Sequence, residues 1–426
     1  MNVHESEKLA GILKNKGYMP SDCQNDADIL IFNTCCIRDT AEKKILGNIG
    51  AVKKQKKDNP NMIVAVVGCM SQQKGIKELL KEKYSYVDIV LGSSNLNELS
   101  NAIDKVLLKR QFFAQIDDSE KPEIVEEMPV YRTSGTNAWV NIMYGCNNYC
   151  TYCIVPYVRG RERSRQPEAV LNEIKSLLDE GYKEITLLGQ NVDSYCNDAD
   201  NGWSFARLLE NIAKIEGKFR LRFMSSHPKD FHKEIVDIIR DAPNICNNIH
   251  LPVQSGSNNI LKLMNRKYTR EHYLELIDYI KTLPNVGITT DIMVGFPGET
   301  EQDFEDSMSL LRQVRFSNAF TFVFSPRKGT AAADMPQIAA EIKKERITKL
   351  VALQNSISME ISKEYLNKTF EVLVEDKNDK YENMLCGRTE SGRLVNFQGS
   401  ADQIGQFVNV EINKTKAASL WGKING

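Results

Sequence analysis

The chain has 426 residues, 42% of them hydrophobic and 26% charged, an ordinary globular balance with room for about three domains. Lys and Arg number 55 against 56 Asp and Glu, so the formal net charge of -1 excludes a coat of positive charge and leaves any nucleic-acid contact to local patches. No apolar run approaches the roughly 18 residues of a membrane helix, and Met1 to Lys16 has charges throughout with no apolar signal-peptide core. A cytoplasmic protein with no membrane partner is expected, and its 10 cysteines then need a purpose other than disulfides.

Leu9, Ile12 and Leu13 predict an amphipathic helix ending at Gly17. A buried strand follows at Asp28 to Asn33 (DILIFN), then a helix from Ala41 to Lys57 and a second strand at Met62 to Gly68 (MIVAVVG). Asp88 to Gly92 repeats the cycle and Leu96 to Leu108 closes it with a helix. This alternation predicts a parallel α/β sheet over residues 1–115. The acidic text DDSEKPEIVEE, from Asp117 to Glu127, marks an exposed linker across 116–131.

Residues 132–362 carry six strand patterns: Trp139 to Met143, Glu184 to Leu188, Leu221 to Met224, Ile249 to Val253, Ile288 to Val294 and Phe320 to Phe324. Helices lie between them. Pro167 opens one over Glu168 to Glu180, and Thr300 with Asp303 forms a capping box before Phe304, Met308 and Leu311. Six such units predict a partial (β/α)6 barrel of TIM-like architecture, with chemistry on the loops at the carboxyl ends of the strands. A long helix over Ala339 to Leu366 leads to residues 365–426, where Phe370 to Glu375, Leu394 to Phe397 and Phe407 to Ile412 predict a small OB-like β-barrel.

Cys146, Cys150 and Cys153 stand as GCNNYCTYC, directly after the first barrel strand. A structural zinc site usually takes four ligands, commonly two CxxC pairs, and the chain has no second pair. Three thiolates on one tight loop can instead hold three irons of a 4Fe-4S cluster and leave the fourth open. Cys35 and Cys69 each follow a strand of the N-terminal sheet, which places both at the same carboxyl edge, where doubly wound folds bind their ligands. Cys196, Cys246 and Cys386 match no ligand spacing and read as structural thiols.

The CxxxCxxC text, with Tyr152 before its last cysteine, resembles the radical S-adenosylmethionine (SAM) superfamily. The finer likeness is to its methylthiotransferases. It rests on Gly145 to Arg165, LLGQNVDSY (Leu187 to Tyr195), RFMSSHP (Arg222 to Pro228), HLPVQSGS (His250 to Ser257), DIMVGFPGET (Asp291 to Thr300) and FSPRKGT (Phe324 to Thr330). The C-terminal module resembles the TRAM domain, an RNA-binding appendage. The opening MNVHESEKLAG and NTCCIRDTAEKK (Asn33 to Lys44) are most similar to the branch that adds a methylthio group to C2 of an isopentenylated adenosine beside the tRNA anticodon.

That resemblance implies two 4Fe-4S clusters. One sits on Cys146, Cys150 and Cys153 with SAM on its open iron; the other, auxiliary cluster uses three cysteines, of which Cys35 and Cys69 match the second and third. The first belongs to a text that this chain lacks ahead of Met1, so either a start placed too late or a chain lacking its first strand is expected; if the chain is genuine, the auxiliary cluster loses a ligand. Cys36 or Cys23 could substitute, although adjacent strand-end residues tend to point apart. The implied partners are the tRNA anticodon loop, an electron donor such as flavodoxin or ferredoxin, and a sulfur source. Rival readings are the same chemistry on an aspartate of a ribosomal protein or on threonylcarbamoyladenosine, and, outside enzymes, a metal-stabilised RNA-binding scaffold.

Tyr152, Gln190, Asn191, Ser225 and Gln254 are the candidate SAM contacts; the last four follow barrel strands, where a capped turn is the plainer reading. His227 and His250 read equally as structural histidines, and Gly295, Pro297 and Gly298 as a tight turn or a close approach to a nucleoside. Arg159, Arg161, Arg163 and Arg165 recur at every second residue, which would align them on one face of an extended segment and suit RNA phosphates or closure over SAM. A solvated loop is the alternative.

Overall fold

The computed structural model describes residues 1–36, 39–133, 135–199 and 202–425; of the Asn33 to Lys44 motif, residues 37 and 38 lie outside that set. The chain divides into two compact units. The first comprises Met1–Thr133, Met143–Arg165 and Ser325–Asp334, and the second holds the remainder.

The first unit alternates α1 (Asn2–Asn15), β1 (Ile29–Thr34), α2 (Asp39–Asp58), β2 (Ile63–Gly68), α3 (Ile76–Lys83), β3 (Ile89–Leu91), α4 (Leu99–Lys109) and β4 (Phe113–Gln115). Its four strands form one parallel sheet in the order β1-β2-β3-β4. All six residues of β2 are buried, as an unbroken apolar run in a sheet covered on both faces should be. Val64 and Val66 pack with Ile49, Val52 and Leu80 on one face, while Ile63, Ala65 and Val67 pack with Leu9, Ile12, Ile103 and Val106 on the other. That split is the two-residue period of a strand. Gly68 ends β2 at φ 96, and a Cβ there would stand 2.8 Å from the Thr34 carbonyl oxygen, so only glycine lets the two strand ends close up.

The chain then passes through β5 (Asn137–Asn141), which belongs to the second unit, and returns to the first as β6 (Met143–Tyr144), α5 (Val155–Arg159) and β7 (Arg163–Ser164). The two short strands pair antiparallel. Between β4 and β5 no regular element forms among the described residues.

The second unit continues with α6 (Pro167–Asp179), β8 (Glu184–Leu188), α7 (Phe205–Ala213), β9 (Arg220–Phe223), α8 (Lys233–Asp241), β10 (Asn248–His250), α9 (Asn258–Leu263), α10 (Arg270–Ile280), β11 (Gly287–Val294), α11 (Glu301–Val314), β12 (Asn318–Val323) and α12 (Ala340–Lys363). β5-β8-β9 and β10-β11-β12 are parallel sheets, and a Leu221–Ile245 bridge continues one toward the other. This is the partial six-stranded barrel that the pattern predicts. Its first strand ends at Asn141, two residues before the expected end, because the chain turns there into β6. The capping box of Thr300 and Asp303 is present, with both reciprocal bonds.

β13 (Thr369–Lys377), β14 (Met384–Thr389), β15 (Leu394–Gln398), β16 (Phe407–Thr415) and β17 (Leu420–Ile424) close into a barrel of order β13-β14-β15-β17-β16. Arg222 fixes it within the second unit. Its Nε donates to Glu184 Oε2 at 2.8 Å, and its two Nη atoms donate to the carbonyls of Glu390 and Thr389 at 2.9 Å each. No helix among the described residues is long and apolar enough to cross a membrane.

Candidate functional site

Gly145 begins the cysteine loop at φ 77, with the place of a Cβ filled by the Arg161 carbonyl oxygen at 2.0 Å; no other residue fits. The loop is tied at several points. Cys146 N–H donates to the Gly160 carbonyl at 3.2 Å, Cys153 N–H to that of Cys150 at 2.9 Å, and Ala332 N–H to that of Thr151 at 2.9 Å. Asn147 and Glu162 clasp one another: Glu162 Oε1 accepts from Asn147 N–H at 3.1 Å, and Asn147 Oδ1 accepts from Glu162 N–H at 3.2 Å.

Cys150 is buried, Cys146 and Cys153 are half-buried, and none of the three is in a disulfide. Burial pushes the Cys146 thiol up to about 12, with Glu162 and Cys150 adding to the rise against hydrogen bonds from Asn148. Among the described residues no three Cys, His, Asp or Glu side chains converge as ligands of one ion. Three thiols on one pinned loop are a donor set that a 4Fe-4S cubane can take, its thiolates sitting on separate irons. Tyr152 is half-buried beside Cys153 in the loop.

At the sheet edge Thr34 pairs with Gly68, so Cys35 and Cys69 follow neighbouring strand ends. Cys36 does not turn away as strand alternation suggests. It is buried and its thiol hydrogen-bonds Cys69, because the chain has left the strand at Thr34 and alternation no longer governs it. The Cys36 contact holds the Cys69 thiol below its ordinary value, with the Arg159 charge acting the same way and burial opposing. The Cys36 thiol moves up in turn. Cys23 is exposed, ahead of a short helical turn.

Arg159 donates from Nε to Cys69 Sγ at 3.1 Å and from its two Nη atoms to Glu5 at 2.6 and 3.0 Å. Both side chains are nearly buried, with 10% and 3% of their surfaces exposed. The arginine row therefore does not lie on one face. Arg159 ends α5, and Gly160 at φ 72 breaks the extended path the spacing assumed. Arg165 is buried on Glu126 at 2.5 Å, Arg163 reaches the Arg159 carbonyl at 3.1 Å, and Arg161 is exposed with Glu120 at 2.7 Å.

In the second unit Gln190, Asn191, Ser225 and Gln254 all follow the carboxyl ends of barrel strands, on one rim. Ser225 and Gln254 have left-handed backbones, at φ 73 and 69, which costs about 1–3 kcal/mol each and is common where geometry serves a ligand. Asn191 Nδ2 donates to Asp230 at 2.7 Å while its buried Oδ1 has no partner among the described residues. Asp193 accepts from Ser226 Oγ at 3.1 Å and His227 N–H at 2.8 Å; burial still pushes its carboxyl up to about 8. Burial holds the His227 ring far below its ordinary value and pushes His250 down to about 4, so both are neutral.

Glu5, Glu162, Asp193 and the contact of Arg159 with Cys69 were not singled out by sequence reasoning. Glu162 lies in the GRERSR text and could have been flagged as the one acid in a basic run. Glu5 offers no such signal.

Three family models match the chain: "Radical SAM superfamily" over residues 140–311, "Uncharacterized protein family UPF0004" over 1–92 and "TRAM domain" over 363–424. A curated tRNA-2-methylthio-N(6)-dimethylallyladenosine synthase of Clostridium botulinum (strain Langeland) is 52% identical over 99% of this chain and 94% of its own length. Relatives of the same name from Thermoanaerobacter pseudethanolicus and Desulforamulus reducens are 50% and 49% identical over 100% of this chain, covering 90% and 93% of theirs. Among solved structures, the cobalamin-dependent S-adenosylmethionine radical enzyme OxsB matches 82% of this chain and 53% of its own, at 15% identity and a TM-score of 0.51, a likeness of fold.

Proposed function

For a chain that belongs to the tRNA-2-methylthio-N(6)-dimethylallyladenosine synthase family of radical SAM enzymes, we propose methylthiolation at C2 of N6-isopentenyladenosine beside the anticodon of tRNA. The observation that carries this reading is likeness at 52% identity over 99% of the chain, which spans the cysteine loop, the barrel rim and the terminal β-barrel together. Radical SAM chemistry implies SAM and a 4Fe-4S cluster. We assign that cluster to Cys146, Cys150 and Cys153, and an auxiliary cluster to Cys35 and Cys69.

When bound, these groups supply one-electron cleavage of SAM and a sulfur atom to transfer. The chain's own residues do the rest. The Asn147–Glu162 clasp fixes the loop that presents the three thiols. Asn191 is oriented by Asp230 so that its Oδ1 is available to an ammonium group such as that of SAM, with Gln190, Ser225, Gln254 and Tyr152 completing the contacts. Arg159 places fixed positive charge and an N–H donor against Cys69, which favours the thiolate that a cluster requires. The target base has to be splayed from its stack to reach such a site, and the terminal barrel steers the RNA. Reduction and sulfur supply fall to separate partners, an electron donor of the flavodoxin or ferredoxin class and a sulfur source.

Nucleoside mass spectrometry of tRNA from a strain lacking the gene tests the assignment. Isopentenyladenosine should accumulate and its 2-methylthio form vanish, and both should revert when the gene is restored. An unchanged 2-methylthio pool in a strain with no second such enzyme would reject it.

A further inference from the structure

FSPRKGT supplies a buried cation that none of this chemistry employs. Arg327 is 7% exposed and lines a cavity of about 330 Å³ in the first unit, together with Cys36, Glu42, Gln73, Lys74 and Lys328. Its Nη1 reaches Glu42 Oε2 at 3.5 Å, and that oxygen also accepts from Gln73 Nε2 at 3.2 Å. Nε and Nη2 are buried and have no partner among the described residues.

Those two atoms form the side-on edge of the guanidinium, a pair of parallel N–H groups spaced for two oxygens of one oxyanion. Leaving such donors buried and unpaired is costly, and a ligand that brought two oxygens would remove the cost. The charge of the lining points the same way: among the described residues Lys74, Arg327 and Lys328 stand against Glu42, a formal balance of +2. Lys74 and Lys328 are exposed, so the positive field continues from the buried fork to solvent, as a backbone of successive phosphates would require. A lone monatomic or thiol anion would leave one arm of the fork idle.

We infer that this cavity binds a phosphate group of the RNA substrate, with Arg327 gripping two of its oxygens and Lys74 and Lys328 holding the neighbouring backbone. The inference rests on the tRNA reading and adds to it a contact remote in sequence from the terminal barrel.

The test uses the full chain with its clusters reconstituted, and reads binding rather than turnover. Fluorescence anisotropy with a labelled anticodon stem-loop is measured over a salt series for wild type, Arg327→Gln, Arg327→Lys and the exposed double variant Lys74→Gln/Lys328→Gln, with iron content and circular dichroism as controls of folding. Arg327→Gln should weaken binding about tenfold, equally for stem-loops with and without the target adenosine, and should lower the slope of log K against log salt by about one. Arg327→Lys should recover only part, since it restores charge without the fork. The double variant should lower the slope again and keeps the test open if Arg327→Gln misfolds.

Inorganic phosphate, titrated by calorimetry, separates the sources. Phosphate that binds wild type but not Arg327→Gln, with RNA affinity and slope unchanged in every variant, would mean a free-anion site and overturn the RNA assignment. Unchanged binding of both probes would overturn the site altogether. Failure of the tRNA reading itself looks different, because wild type would then bind the stem-loop no better than an unrelated RNA.

Discussion

The two compact units prepare their chemistry in opposite ways. At the sheet edge of the first, fixed charge stands directly against sulfur: Arg159 bridges Cys69 and Glu5, and the buried Cys36 thiol hydrogen-bonds Cys69. In the second, the buried His227, His250 and Asp193 side chains at the rim are kept neutral, and backbone shapes it instead. His227 and His250 are held uncharged by burial, Asp193 is pushed up to about 8, and Ser225 and Gln254 take left-handed conformations. The difference matches what each is proposed to hold. Nearby positive charge favours a thiolate at Cys69, whereas a nucleoside with a zwitterionic tail is recognised by shape and a few directed hydrogen bonds.

The sharpest way to break the comparison is to remove a thiol. Cys150→Ala should abolish 2-methylthio product and reduce iron from about eight to about four atoms per chain, since one 4Fe-4S cluster is lost and the other remains. Cys69→Ala should cost the same iron by the other route. If either substitution left the iron content intact, its assignment as a ligand would fail.

Arg159→Gln comes next. It leaves Glu5 buried without its partner, and breaking a buried ion pair costs about 3–5 kcal/mol, so thermal unfolding should move down by many degrees. Glu5→Gln with Arg159→Gln should cost less than the sum of the single changes, because each single change strands a charge that the double change removes. Additive losses would mean that the pair does not act as a unit.

Much of this contrast was legible in the sequence, and the part that was not has a physical reason. Cys146, Cys150 and Cys153 are neighbours in the chain, so spacing alone groups them. Cys35 and Cys69 needed one step more, the rule that parallel strands joined by a helix end at the same edge. Cys36 and Arg159 depart from the pattern because strand alternation does not extend beyond a strand. Thr34 is the last residue of β1, and Gly160 turns the chain at φ 72 in the middle of the arginine row. Glu5 is the hardest case. Its partner lies 154 residues away, and nothing local marks it among the charges of α1.

For the neutral rim, Asp193 provides a test by pH. A carboxyl raised to about 8 in the folded chain from an ordinary 3.8 takes up protons on folding. The stability it lends is complete below about 4, declines as pH rises and is gone above about 8, with a slope of at most about 1.4 kcal/mol per pH unit from this group. Urea denaturation between pH 5 and 9 should show that decline in wild type, and Asp193→Asn should flatten it. A parallel slope in the variant would place the titration elsewhere.

The smallest expected effect separates shape from stability at the same rim. Ser225 holds φ 73 with a short, half-buried side chain, so Ser225→Gly removes little packing and relieves backbone strain. Relief of a left-handed conformation contributes about 1–2 kcal/mol, and the greater freedom of glycine in the unfolded chain takes back about 0.5–1. The variant should therefore be as stable as wild type or better by up to about 1.5 kcal/mol, while the KM for SAM rises because the backbone is no longer held in place and the hydroxyl is gone. Stability and affinity moving in opposite directions is the signature of strain kept for a ligand. A variant that lost stability without a change in KM would make Ser225 an ordinary structural turn, and the neutral rim would then owe its shape to Gln254 and Asp193 alone.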